Sequence, residues 1–223
     1  MAKEIIFYKR NLPHLHPRDG IFFITFRLAE SLPVNTLQKL QEERENEIGL
    51  LRHKFRGKEF EDEKYKVEKR YWGYFDKLLD DSSTGTQWLK EERIAKIVVD
   101  KIHDLDEKRF RVIAYCLMSN HVHLLIDMKG FCKSSDTNVS GKTKDYPLAD
   151  AMRLLKGSTA RHCNVELGRG GAFWHTESYD HWVRDEDELT RIIDYVLNNP
   201  VKAGLVADWH KWKFSYVTNV TQH

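Results

Sequence analysis

The 223-residue sequence has no apolar run long enough to cross a bilayer; the longest, such as residues 21–26 and 122–126, are the length of a strand. Its opening, Met1-Ala2-Lys3-Glu4-Ile5, lacks an apolar signal region, so export is not expected. Cysteine is scarce. Cys116, Cys132 and Cys163 are odd in number and far apart, which excludes a disulfide framework and paired Cys-x-x-Cys metal knuckles. A reducing cytoplasm is the expected location, with no membrane partner. An excess of one charge is also missing: 36 Lys+Arg face 34 Asp+Glu, a net +2, so overall charge does not mark a nucleic-acid binder. Any basic surface has to come from local segregation of charge.

What is present reads as an α+β chain. Residues 20–27 are rich in aromatic and β-branched side chains and predict a buried strand. A long charged stretch follows from about residue 37 to residue 90. Between Gln41 and Arg70 it interleaves nine acidic with nine basic residues, which suits solvated helices with i,i+4 pairs better than a phosphate-binding surface. The reading there is a helical insertion. Residues 89–103 carry Ile94, Ile97, Val98 and Ile102 at helical spacing. Two strand-like runs, 110–118 and 121–128, flank Ser119-Asn120 and predict a β-hairpin. Residues 129–146 predict a loop and 148–166 a helix; 173–183 predict a strand. The last helix is expected from Asp185, with Glu188 placed for a capping box, to about Asn199, where Pro200 marks a boundary. The whole is a small, mostly antiparallel sheet covered by helices, with the helical insertion in a single 1–223 domain.

Two features carry chemistry. In His121-Val122-His123 the imidazoles are two apart on a strand, so both point to one face and can reach one divalent ion. A third protein ligand completes such a site; two hydrogen-bonded histidines at a sheet edge are the alternative. In the last helix Leu189, Ile192, Ile193, Val196 and Leu197 form one apolar stripe, and Tyr195 lies round from its centre with Asn199 and Glu188 on the same flank. Tyr195 reads either as a reactive phenol or as a core tyrosine anchored by its hydroxyl.

The run Met118-Ser-Asn-His-Val-His-Leu-Leu-Ile126 resembles the histidine–hydrophobic–histidine motif of the single-tyrosine transposases of the smallest bacterial insertion sequences, and more closely that of their relatives associated with repetitive extragenic palindromes. Phe173-Trp-His-Thr-Glu-Ser-Tyr-Asp-His-Trp-Val-Arg-Asp-Glu-Asp-Glu-Leu189 and Tyr195-Val-Leu-Asn-Asn-Pro-Val-Lys-Ala-Gly-Leu-Val206 are similar to that group, as are Asn11-Leu-Pro-His14 and residues 22–27. The resemblance implies a ferredoxin-like domain, with the histidines on a central strand and a nucleophilic tyrosine on a late helix. It makes His121 and His123 catalytic metal ligands for Mg²⁺ or Mn²⁺ and Tyr195 the nucleophile, and puts Asn199 where relatives supply a third, polar ligand. The charged stretch departs from the shortest members.

The implied activity is metal-dependent cleavage and rejoining of single-stranded or hairpin DNA through a covalent 5′-phosphotyrosine, by a monomer or homodimer. A non-catalytic nucleic-acid-binding domain and a hydrolase using water are the rivals. For DNA contacts, residues 151–175 hold four basic residues against one acidic, among them Arg153, Lys156 and Arg161. Arg184 is the best-placed single phosphate contact, and Trp174 is a candidate to stack on bases. Trp182 reads better as core.

Overall fold

A computed structural model describes residues 19–81, 85–131 and 147–218 with their side chains, and the backbone of 5–9 and 13–17. Asn11, Leu12, Cys132 and residues 132–146 of the expected loop lie outside the described residues. The chain divides into two compact units, residues 1–28 with 88–223, and residues 29–87.

The larger unit is built on a sheet whose strand order is β6-β3-β5-β4-β7, with antiparallel neighbours throughout. The strands are β3 (Ile21–Leu28), β4 (Arg111–Leu117), β5 (His121–Asp127), β6 (Trp174–Trp182) and β7 (Ser215–Val217). After the residues 29–87 that follow β3, helix α3 (Glu92–Leu105) leads into β4, and α4 (Pro147–Glu166) links β5 to β6. That β-α-β-β-α-β order, with β5 and β3 central, is the ferredoxin-like arrangement the sequence leads one to expect. The backbone of β1 (Ile5–Lys9) and β2 (Pro13–Pro17) forms a separate antiparallel pair. Neither this pair nor β7 is legible in the sequence.

Strand alternation gives the sheet two different faces. Phe22, Ile24 and Phe26 of β3 share one face with Val122, Leu124 and Ile126 of β5, and all pack with Ile94, Val98 and Ile102 of α3 and Leu155 of α4 in one core. Burial of each such aliphatic side chain stabilises by about 1.5–3 kcal/mol. On the opposite face, register places Phe23 beside Leu125, Thr25 beside His123 and Arg27 beside His121. This face is buried yet holds the polar side chains of Thr25, Arg27, His121 and His123.

The smaller unit is two long helices, α1 (Val34–Lys54) and α2 (Gly57–Asp81), folded back on each other with Ile48, Val67 and Leu79 buried and Glu47 paired to Arg70. The balanced charge at residues 41–70 thus belongs to helices, as its pattern predicts. Among the described residues no helix is long and apolar enough to cross a membrane.

Candidate active site

The site begins at the tight turn between β4 and β5, closed by Met118 N–H donating to His121 C=O at 2.9 Å. Asn120 in that turn is buried, and its Oδ1 lies 2.7 Å from His121 Nδ1. Across the sheet, Thr25 Oγ1 lies 2.9 Å from His123 Nδ1. Each imidazole is therefore held at Nδ1 by a partner fixed in the fold. The two Nε2 atoms then face each other at 3.0 Å. With both Nδ1 atoms protonated and held by Asn120 and Thr25, two Nε2 lone pairs converge on one point, as in histidines oriented to bind a metal. Without a cation, one Nε2 has to carry a proton and donate to the other.

Burial sets the protonation. Both rings are 0% exposed. Desolvation pushes His121 down to about 3, and pushes His123 well below its ordinary value, helped by His121 and by the charge of Lys202. Both are neutral, ligand-competent imidazoles at pH 7.

Helix α5 (Glu186–Lys202) brings the phenol. Asp185 caps it by accepting from Glu188 N–H at 2.8 Å. The Glu188 carboxylate does not close the capping box on Asp185 but accepts from Arg184 N–H at 2.9 Å and from His181 Nε2 at 3.0 Å, which ties α5 to β6. Val196 and Leu197 of the expected stripe are buried. Tyr195 then meets His123 edge-on at 5.5 Å between centroids and Phe23 at 6.0 Å. The Lys202 ammonium also lies 4.2 Å from its ring centroid. Asn199, one turn beyond Tyr195, is 0% exposed, and among the described residues neither polar atom of its amide has a hydrogen-bond partner. Two converging, neutral imidazole nitrogens are a donor pair that fits a divalent ion.

The helix runs past the expected end at Asn199. Pro200 lies inside it, and the last turn closes with Ala203 N–H on Asn199 C=O at 3.0 Å and Leu205 N–H on Pro200 C=O at 2.9 Å. A proline so near the end forfeits only the bond its missing N–H would make to Val196, and its own carbonyl still accepts. The extra length puts Lys202 on the helix, a residue the sequence reading did not single out.

The expected DNA contacts divide. Arg184, Arg153 and Arg161 are exposed. Lys156 instead donates to His175 C=O at 2.8 Å, Thr176 C=O at 3.1 Å and Ser178 Oγ at 3.0 Å, so its ammonium ties α4 to β6. Trp174 is 6% exposed, with its Nε1 donating to Thr159 at 2.8 Å and its ring against Phe26. A base cannot stack on it. Its place at the start of β6, facing the core side, makes it a core residue.

The family model described as "Transposase IS200 like" matches residues 86–199, just over half of the chain. The chain belongs to the IS200-like transposase family. The matched span includes His121, His123, Tyr195 and Asn199, and stops short of Lys202. This IS200-like chain is 26% identical over 106 residues to a Haemophilus influenzae protein named as a candidate REP-associated tyrosine transposase. The matched stretch is 48% of this chain and spans 58% of that relative's length. Among solved structures it resembles a REP-associated tyrosine transposase bound to a REP hairpin, at 15% identity and TM-score 0.45, covering 92% of this chain and 88% of that one. It also resembles a candidate transposase from Deinococcus radiodurans, at 13% identity and TM-score 0.36, covering 86% and 98%.

Proposed function

We propose that the chain is a metal-dependent endonuclease and strand transferase that cuts single-stranded hairpin DNA of palindromic repeats through a 5′-phosphotyrosine on Tyr195. The observation that carries this reading is the ring of Tyr195 set 5.5 Å from His123, whose Nε2 converges with that of His121 at 3.0 Å. Family membership and the REP-associated name of the Haemophilus influenzae relative support it.

Tyr195 Oη bonds to phosphorus while the bond from phosphorus to the departing sugar oxygen breaks. The phenol loses its proton and the departing oxygen gains one, leaving a free 3′ hydroxyl. One ester replaces another, so that hydroxyl or a second one can reverse the step and rejoin strands without ATP. His121, His123 and Asn199 would hold Mg²⁺ or Mn²⁺, which when bound neutralises and orients the phosphate and stabilises its charge in the transition state. His121 and His123 stay neutral because they are buried, and Asn120 and Thr25 fix their rings. Arg184, Arg153 and Arg161 are exposed cations suited to the DNA backbone.

The test incubates labelled hairpins from the DNA flanking the gene with protein and Mg²⁺ or Mn²⁺, beside a Tyr195→Phe variant and an EDTA control. A protein-linked DNA band on a denaturing gel that vanishes in both controls is the expected result. Cleavage without that band would favour water as nucleophile; neither cleavage nor band would leave a binding domain.

A further inference from the structure

Lys202 stands two turns beyond Tyr195 on α5, and seven residues at ~100° each bring its side chain back to nearly the same helix flank. Helical side chains lean toward the N-terminus, so Lys202 reaches back along the helix to the tyrosine. Its Nζ sits 4.2 Å from the centroid of the Tyr195 ring. His123 and Phe23 meet that ring edge-on elsewhere. The phenol is thus bounded by the metal-ligand histidine and by a cation. Lys202 is exposed, and among the described residues no carboxylate pairs with it. A contact with an aromatic face leaves the three ammonium protons free to donate.

We propose that Lys202 is a catalytic residue that donates to a non-bridging oxygen of the phosphodiester attacked by Tyr195, and holds the tyrosine ring in line with it. This rests on the reading of Tyr195 as nucleophile. An anion beside the phenol comes near the Lys202 ammonium, which lies on that ring and is exposed to solvent. A phosphate bound there is gripped by charge where negative charge builds, the role of a pre-placed donor in acyl and phosphoryl transfer. Lysine suffices, because the contact calls for a point charge rather than a fork.

The test is single-turnover adduct formation on 3′-labelled hairpins from the DNA flanking the gene, in Mn²⁺, with wild type, Lys202→Met and Lys202→Arg. Lys202→Met is expected to slow adduct formation roughly 10²-fold at an unchanged melting temperature, and Lys202→Arg to recover most of the rate. The log–log salt slope of hairpin binding should fall by about 0.7 in Lys202→Met, the share of one single-strand phosphate contact. On a hairpin with a methylphosphonate at the scissile position, which lacks the anionic oxygen, the deficit of Lys202→Met should collapse. Wild-type rates in Lys202→Met, or a deficit undiminished on the methylphosphonate, overturn the assignment while Tyr195 keeps its role. If wild type forms no adduct on any hairpin, the nucleophile reading fails and Lys202 falls with it.

Discussion

His121 and His123 show what two imidazoles gain and lose by complete burial. In an unfolded chain each titrates near ~6.5, whereas in the fold His121 titrates at about 3 and His123 is pushed well down too. Below that unfolded value the unfolded chain binds protons that the folded one does not, so stability is present above about pH 6.5 and is lost as pH falls toward 3. In EDTA, urea unfolding should therefore give less stability at pH 5 than at pH 7, with a slope of up to about 1.4 kcal/mol per pH unit for each histidine. His121→Gln should flatten it; equal stability at the two pH values would count against neutral buried rings. For chemistry, Tyr195→Phe is expected to abolish the covalent adduct while leaving hairpin binding within a few-fold, because only Oη is removed. Replacing His121 or His123 by alanine should cost cleavage at least ~10²-fold, read by the same gel, and unchanged cleavage would remove them from the mechanism.

Among elements, α5 is the one whose placement matters most, since Tyr195, Asn199 and Lys202 all ride on it. Asp185 satisfies the N–H of Glu188, and Glu188 bridges Arg184 and His181. Asp185→Ala should destabilise by about 1 kcal/mol, the worth of a cap. Glu188→Ala should cost more, about 2 kcal/mol, because a buried acceptor leaves two donors without it; thermal unfolding distinguishes the two. In the helical unit, Gly85 has φ +95°, and a Cβ there would lie 2.7 Å from Glu30 O and 2.8 Å from Ser31 O. Gly85→Ala is accordingly expected to destabilise by about 1–3 kcal/mol, and a variant as stable as the parent in urea would contradict this geometry.

For the molecule as a whole, a net charge of +2 gives little general attraction to DNA, so affinity has to come from local cations. Hairpin binding should weaken steeply with salt, in proportion to the phosphates contacted. Chelation should separate two functions: EDTA is expected to abolish the adduct and leave binding measurable by gel shift. Loss of binding with the metal would instead mean that the ion holds the DNA rather than assisting the reaction.

The sequence by itself determined the elements with a strong local period. The apolar run of β3, the hairpin around Ser119-Asn120, the spacing of α3 and α4 and the stripe of α5 are each written within one short segment, where a 2.0 or 3.6 repeat is enough. It also put His121 and His123 on one face and Tyr195 on the flank of a late helix. Shorter or weaker signals were not legible: β7 is a three-residue strand supported by Cys116 and Tyr115 rather than by its own pattern. Only the tertiary structure decided that α5 continues through Pro200, because the neighbouring carbonyls find other donors. It also decided which cations and aromatics are available. Lys156 and Lys202 look alike in sequence, yet one spends its protons on β6 and the other stands exposed over the tyrosine. Trp174 looks free to stack and is buried against Phe26 and Thr159. These outcomes depend on partners far away along the chain, and no local period encodes them.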